Sequence, residues 1–397
     1  MELKPGYKQT EAGVIPRDWD VVLLDSVARR ASGHTPDKTH PEYWGGDIKW
    51  VSLADSQRLD NLYISETAAT ITPEGITNSS ANLLPAGSCI VSRDAGVGKS
   101  AILAEPMAVS QHFMAWNCGP RLSNHYLYFL LQAMKPELER IAIGNTIKTI
   151  GLPYFKALRI QLPSIKEQNS IASALTDIDQ FIRRLERSIA KKQGIKQAAM
   201  QELLTGKRRL LGFEGEWEVK KLGDIAEITM GQSPSSYNYN KQGRGLPLIQ
   251  GNADIKNRET VPRVFTTQIT KRGFNGDILM TVRAPVGEVS RANIDVCLGR
   301  GVCAICFRSN FLYHFLVFLE PAWAKHSKGS TFDSVNAADI KAVDVHLPCD
   351  SLEQDAIAES LGEMDAELTV LEIRLAKAHA IKQGMLQQLL TGKIRLT

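Results

Sequence analysis

The sequence is written twice. Glu167 to Leu210 matches Glu353 to Leu396 at an offset of 186 residues. Gln168 meets Gln354, Ile171 meets Ile357, Leu185 meets Leu371, and Leu203-Leu204-Thr205-Gly206-Lys207 meets Leu389-Leu390-Thr391-Gly392-Lys393. Small changes of offset carry the match further. Trp19 meets Trp217, Gly33-His34-Thr35-Pro36 meets Gly231-Gln232-Ser233-Pro234, Val97-Gly98 meets Val286-Gly287, and Leu162-Pro163 meets Leu347-Pro348. Each unit is far longer than the ~20–50-residue period of a solenoid, so this is a two-copy duplication. The order is globular domain, helix, globular domain, helix, with boundaries at 1–163, 164–211, 212–348 and 349–397.

The repeated segments read as long helices. Apolar residues fall at Ile171, Leu175, Ile178, Ile182, Leu185 and Ile189 in one, and at Ile357, Leu361, Met364, Leu368, Leu371 and Leu375 in the other. Both runs alternate spacings of four and three, which is a coiled-coil seam. Ser164 with Glu167, and Asp350 with Glu353, have capping-box spacing at the start. Thr205-Gly206 and Thr391-Gly392 supply a stop. About 38 residues at ~1.5 Å rise make a rod of about 57 Å. Residues 164–213 carry a net charge of +5 and residues 349–397 of −3, which suits pairing with each other. Antiparallel pairing turns the duplication into a pseudo-twofold, which offers a partner two equivalent docking sites.

The globular parts share only anchors, and both read as mixed α+β. Short apolar strands are predicted at 88–92 and 277–282, and one amphipathic helix each at 124–142 and 310–325. A shared scaffold with diverged loops suggests two related tasks on two different ligands.

Composition excludes several classes. Six cysteines in 397 residues make no disulfide scaffold. The most apolar window, Phe311 to Leu319, is about half the ~18 residues of a membrane helix, and no signal segment opens the chain. A cytoplasmic protein is expected. The net charge of +4 offers no general polyanion field. Asp94–Ser100 (Asp-Ala-Gly-Val-Gly-Lys-Ser) looks like a phosphate loop, but Arg93 stands where its first glycine belongs. Cys303-x-x-Cys306 lacks a second ligand pair for zinc and reads as a buried strand. Neither a metal nor a resident cofactor is expected, and no catalytic constellation stands out.

In its doubled order the chain resembles the DNA-specificity (S) subunit family of type I restriction–modification systems. The family-like strings are Gly33-x-Thr35-Pro36 with Glu42-Tyr43-Trp44, Ile48-Lys49-Trp50-Val51, Gly96-Val97-Gly98-Lys99, Gly144-x-Thr146, the Leu162-Pro163 to Ile171 junction, and Leu203-Leu204-Thr205-Gly206-Lys207. The second copy is looser, with Glu288 in place of Lys99 and Ala337 in place of Leu152. The resemblance implies two target-recognition domains, each reading half of a split site on double-stranded DNA, and paired helices that act as a ruler. It implies no catalysis by this chain. Two methyltransferase subunits dock on it, with motor-nuclease subunits where the system restricts, and S-adenosylmethionine and ATP belong to those partners.

Candidate DNA contacts in the first domain are Thr35, Lys49, Ser52, Arg93, Lys99, Gln111, Thr146 and Lys148. In the second they are Ser233, Gln250, Asn252, Arg283, Arg291, Arg300 and Thr331. Gln and Asn pair adenine bidentately, Arg pairs guanine, and the cations meet phosphate. A non-enzymatic adaptor with two protein-binding heads, and the specificity subunit of a methylation-only system, remain the alternatives.

Overall fold

The duplication is visible strand by strand. A computed structural model describes residues 5–11, 13–144, 148–326 and 334–396. It divides into one unit of residues 1–185 with 374–397 and another of residues 186–373, so each unit holds part of both long helices.

In the first unit a five-stranded sheet runs in the order Ala28–Ser32, Phe113–Cys118, Cys89–Ser92, Ser100–Leu103, Tyr63–Ile64. A three-stranded sheet places Trp44–Val51 between Ala108–Val109 and Ala69–Ile71. Asp20–Leu23 pairs with Arg159–Leu162. The buried strands are short runs such as Cys-Ile-Val-Ser and Ser-Ala-Ile-Leu, every residue of which is buried, as expected for strands covered on both faces. One cover is the helix Asn124–Ile141, which buries Tyr126, Leu127, Tyr128, Phe129 and Leu131.

The second unit repeats this plan. Glu227–Met230, Val302–Cys306, Ile278–Thr281, Val289–Arg291 and Glu259–Thr260 follow in the same order, and Ile255–Lys256 adds a sixth strand. A smaller sheet again carries a parallel pair, Leu248–Ile249 with Cys297–Leu298. Trp217–Lys221 pairs with Asp344–Pro348. The helix Phe311–His326 covers the main sheet. The strands expected at 88–92 and 277–282 and the helices expected at 124–142 and 310–325 thus fall within one residue of their predicted ends. The Cys-x-x-Cys pair lies on the strand Val302–Cys306, with Cys303 buried and Cys306 exposed.

The long helices run from Ile165 to Leu203 and from Ser351 to Leu389. Within each unit they pair antiparallel through matching charges. In the first unit Asp179 meets Lys382 at 2.6 Å. In the second, Lys196 meets Asp365, and Lys192 meets Glu367 at 2.6 Å. The Asp179–Lys382 and Asp365–Lys196 pairs are one pair repeated at the 186-residue offset. None of the twelve seam residues is exposed: Ile178, Met364, Leu371 and Leu375 are half-buried and the other eight are buried. The start of each stripe departs from a pure helix–helix seam. Ile171 and Leu175 belong to a core with Trp19, Leu389 and Leu390, and Ile357 and Leu361 to one with Leu203, Leu204 and Leu222.

The capping boxes form only by half. The Glu167 amide donates to Ser164 Oγ, as predicted, but its carboxylate turns inward. Glu167 accepts the Trp19 indole N–H (3.0 Å) and two bonds from Arg395 (2.6 and 2.8 Å), while Arg395 also grips Asp18. In the second unit the fully buried Glu353 accepts both arms of Arg209, which lies 5.8 Å from the Trp217 ring centre. A buried carboxylate needs this charge-assisted pairing, and a cap amide alone does not provide it.

Candidate nucleic-acid interface

Close backbone approach sets one edge of each unit. A Cβ on Gly33 would sit 1.6 Å from the Val109 carbonyl oxygen, and one on Gly231 would sit 2.1 Å from that of Gly299. Only glycine fits, which is why the Gly-x-[Ser/Thr]-Pro turn occurs twice. In the first unit His34 N donates to Val109 O (3.1 Å), Ser110 N to Val51 O (2.8 Å), and Thr35 Oγ1 to the exposed Gln111 Oε1 (2.6 Å). Thr35 therefore meets Gln111, and the parallel pairing of Val109 with Val51 sets Ser52 on the same edge, where its Oγ accepts from Ala54 N (3.3 Å). Arg93 N donates to His112 O and Ile150 N to Arg93 O, which adds Arg93 and the exposed Lys148 to the same edge.

The second unit builds the same edge from different side chains. Gln232 N donates to Leu298 O (2.9 Å), Gly299 N to Ile249 O (2.7 Å), and Arg300 N to Ser233 Oγ (3.1 Å). Ser233, Gln250 and Arg300 thus take the places of Thr35, Ser52 and Gln111. Val282 N donates to Gly301 O, which brings the exposed Arg283 beside Arg300. Asn252 is exposed two residues beyond Gln250.

Other predicted contacts are engaged elsewhere. The Lys49 ammonium lies against Glu105 at 2.5 Å, against Glu66, and on the Ser65 carbonyl; the Glu105 bond holds its pKa above the ordinary lysine value. Lys99 donates to Ser56 O at 2.9 Å. Its turn joins strands Cys89–Ser92 and Ser100–Leu103, so it leads into a strand where a phosphate loop leads into a helix. Arg291 stacks 4.5 Å from the Tyr313 ring centre on the main sheet, where burial lowers its pKa. Thr146 and Thr331 lie outside the described residues.

Two positioning residues escaped sequence reasoning. Asp55 is fully buried and accepts Ser52 N (2.9 Å), Ala68 N (2.7 Å) and Arg58 Nη1 (2.7 Å). Asp254 accepts Gln250 N (2.8 Å) and Arg263 Nε (2.7 Å). Each fixes the turn that follows a strand of the smaller sheet, Trp44–Val51 in the first unit and Leu246–Ile249 in the second. The Ser52-x-x-Asp55 spacing of a capping box was the signal available. Among the described residues no group of three or more His, Cys, Asp or Glu could hold a metal, and no helix is long and apolar enough to cross a membrane.

A duplicated α+β scaffold, with an equivalent polar edge on the smaller sheet of each unit, defines a protein with two like recognition domains. The chain belongs to the type I restriction modification DNA specificity domain family, which it matches twice, over residues 16–197 and 214–377. Two such domains on one chain give it the role of a specificity subunit. It is 28% identical to the MjaX specificity subunit of Methanocaldococcus jannaschii, itself provisionally named, over 98% of this chain and 97% of that one. It is 29% identical to the type I restriction enzyme MjaIX specificity subunit of the same organism, over 62% of this chain and 60% of that one. Its fold is that of the type I restriction-modification S subunit from M. genitalium, with a TM-score of 0.64, 16% identity, and coverage of 98% and 99%.

Proposed function

We propose that each polar edge reads one half of a split DNA target and that the paired helices set the gap between the halves. The observation that carries this is the repeated edge itself. Thr35, Ser52 and Gln111 occupy the same three positions as Ser233, Gln250 and Arg300. One scaffold therefore presents two different donor–acceptor sets. In the first unit Gln111 suits adenine, with the exposed Lys148 placed for phosphate, while the Arg93 side chain lies mostly buried beside Asp94. In the second, Arg300 suits guanine and Gln250 adenine, with Arg283 placed for phosphate.

The chain performs no chemistry in this reading. It directs two methyltransferase subunits, and motor-nuclease subunits where the system restricts, in the cytoplasm. Those partners bring S-adenosylmethionine and ATP. Ile195 and Ile381 support a partner that docks twice: they are 186 residues apart, one on each long helix, and both are about half exposed. The near-neutral heads require partners to supply much of the phosphate contact.

Selection from random duplexes by the full chain with its methyltransferase partner tests this. The expected result is two short conserved blocks separated by a constant gap of unspecified sequence. A single continuous block, or no enrichment, contradicts it.

A further inference from the structure

Eight residues after Ser52 stands Asp60, and eight residues after Gln250 stands Arg258. Both hold left-handed backbone, at φ 64° and 62°, a conformation that is uncommon for a residue with a Cβ and persists where surroundings enforce it. Both are gripped by the helix that covers the main sheet, and by the same position on it. Pro136 and Pro321 lie inside those helices, and the residue just before each proline makes the contact. In the first unit Lys135 Nζ donates to Asp60 Oδ2 at 2.7 Å, aided by Gln132 at 2.8 Å. In the second, Arg258 makes two bonds to Glu320, at 2.6 and 2.9 Å, and Glu320 also accepts Val289 N.

The polarity is reversed. The helix supplies the cation in one unit and the anion in the other. A bystander ion pair inherited by duplication would keep its signs or be lost. Here the sequence changed at both ends and the contact survived. The tether sits directly after the turns fixed by Asp55 and Asp254, so it closes the segment that leaves each recognition edge. Burial pushes the Asp60 carboxyl up, but the bonds from Lys135 and Gln132 outweigh it, and its pKa lies below the ordinary value.

We propose that Lys135 and Glu320 are positioning residues for recognition, each holding its own unit's edge segment through a tether of opposite sign. This rests on the reading of the edges as base-contacting.

The test is a sign reversal in the full chain with its methyltransferase partner. Asp60→Asn alone should weaken binding to the selected duplex and speed hydrogen exchange over residues 56–64. Lys135→Glu should weaken binding about tenfold, through like charges at short range, and should blur base preference in one half of the target only. In the Lys135→Glu background, Asp60→Asn should strengthen binding and slow that exchange. Glu320→Lys is the mirror experiment and should affect the other half. If Asp60→Asn acts in the same direction in both backgrounds, the tether is refuted. Absence of any sequence preference in the wild-type complex refutes the reading of the edges, while hydrogen exchange still decides the tether.

Discussion

Removing Arg209 should expose how strongly the duplicated clamps hold the long helices to their domains. Glu353 is fully buried, and both its oxygens are bonded by Arg209. Among the described residues no second donor bonds Glu353, and the Trp217 indole N–H makes no hydrogen bond, whereas Trp19 in the other clamp bonds Glu167. Arg209→Ala therefore strands a buried carboxylate. Breaking such a pair costs about 3–5 kcal/mol, and the one-quarter exposure of Arg209 places the expected loss near the lower end, about 3 kcal/mol. Urea unfolding followed by circular dichroism and by hydrogen exchange of residues 351–361 reads this. Glu353→Gln in the Arg209→Ala background should recover more than half of the loss, because a neutral amide costs far less to bury unpaired. The matching Arg395→Ala should cost less at its carboxylate, since Glu167 keeps Trp19. An Arg209→Ala loss below 1 kcal/mol, or no recovery with Glu353→Gln, refutes the reasoning.

Gly33→Ala should destabilise the first unit by at least ~3 kcal/mol, since its Cβ would overlap the Val109 carbonyl and the turn must move; hydrogen exchange should place the damage at residues 33–35 and 109–112. His314 lines the second unit's core next to Asp365, Lys196 and Arg291, and burial depresses its pKa to about 4. The unfolded chain, with an ordinary value of 6.5, binds more protons in this range. Stability is therefore highest above pH 6.5 and falls as pH drops toward 4, by up to about 3 kcal/mol. His314→Phe should flatten that slope in urea titrations between pH 7 and 4.

The duplication, the long helices, the two covering helices and the core strands at 88–92 and 277–282 were legible in the sequence because repetition and periodicity are local properties; the short strands of the smaller sheets carry too few residues to show a period and were not. The 4-3 stripe has a period that only a helix satisfies, and Gly33 and Gly231 mark turns that admit no side chain. The clamps were hidden for a physical reason. Glu167 and Glu353 have capping-box spacing, but their carboxylates follow buried long-range partners that lie 228 and 144 residues away. Repeat alignment sets Arg209 against Arg395 and Glu167 against Glu353, a signal in the sequence whose meaning needed the fold. The candidate edges were legible in part. Thr35, Gln111, Ser233 and Arg300 were chosen from motif and residue type, and the parallel strand pairs bring Thr35 to Gln111 in one unit and Ser233 to Arg300 in the other. Lys49 and Lys99 were chosen by the same logic, yet their ammonium groups are engaged within the protein, because charge alone does not say which cations are spent on structure.

The central claim is that each unit reads its own half of the target. It is tested most directly by exchanging residues 18–163 for the same segment of another family member and mapping methylated sites genome-wide with the cognate methyltransferase. The account predicts a split motif in which one half changes while the other half is preserved. A change in both halves, or in neither, contradicts it.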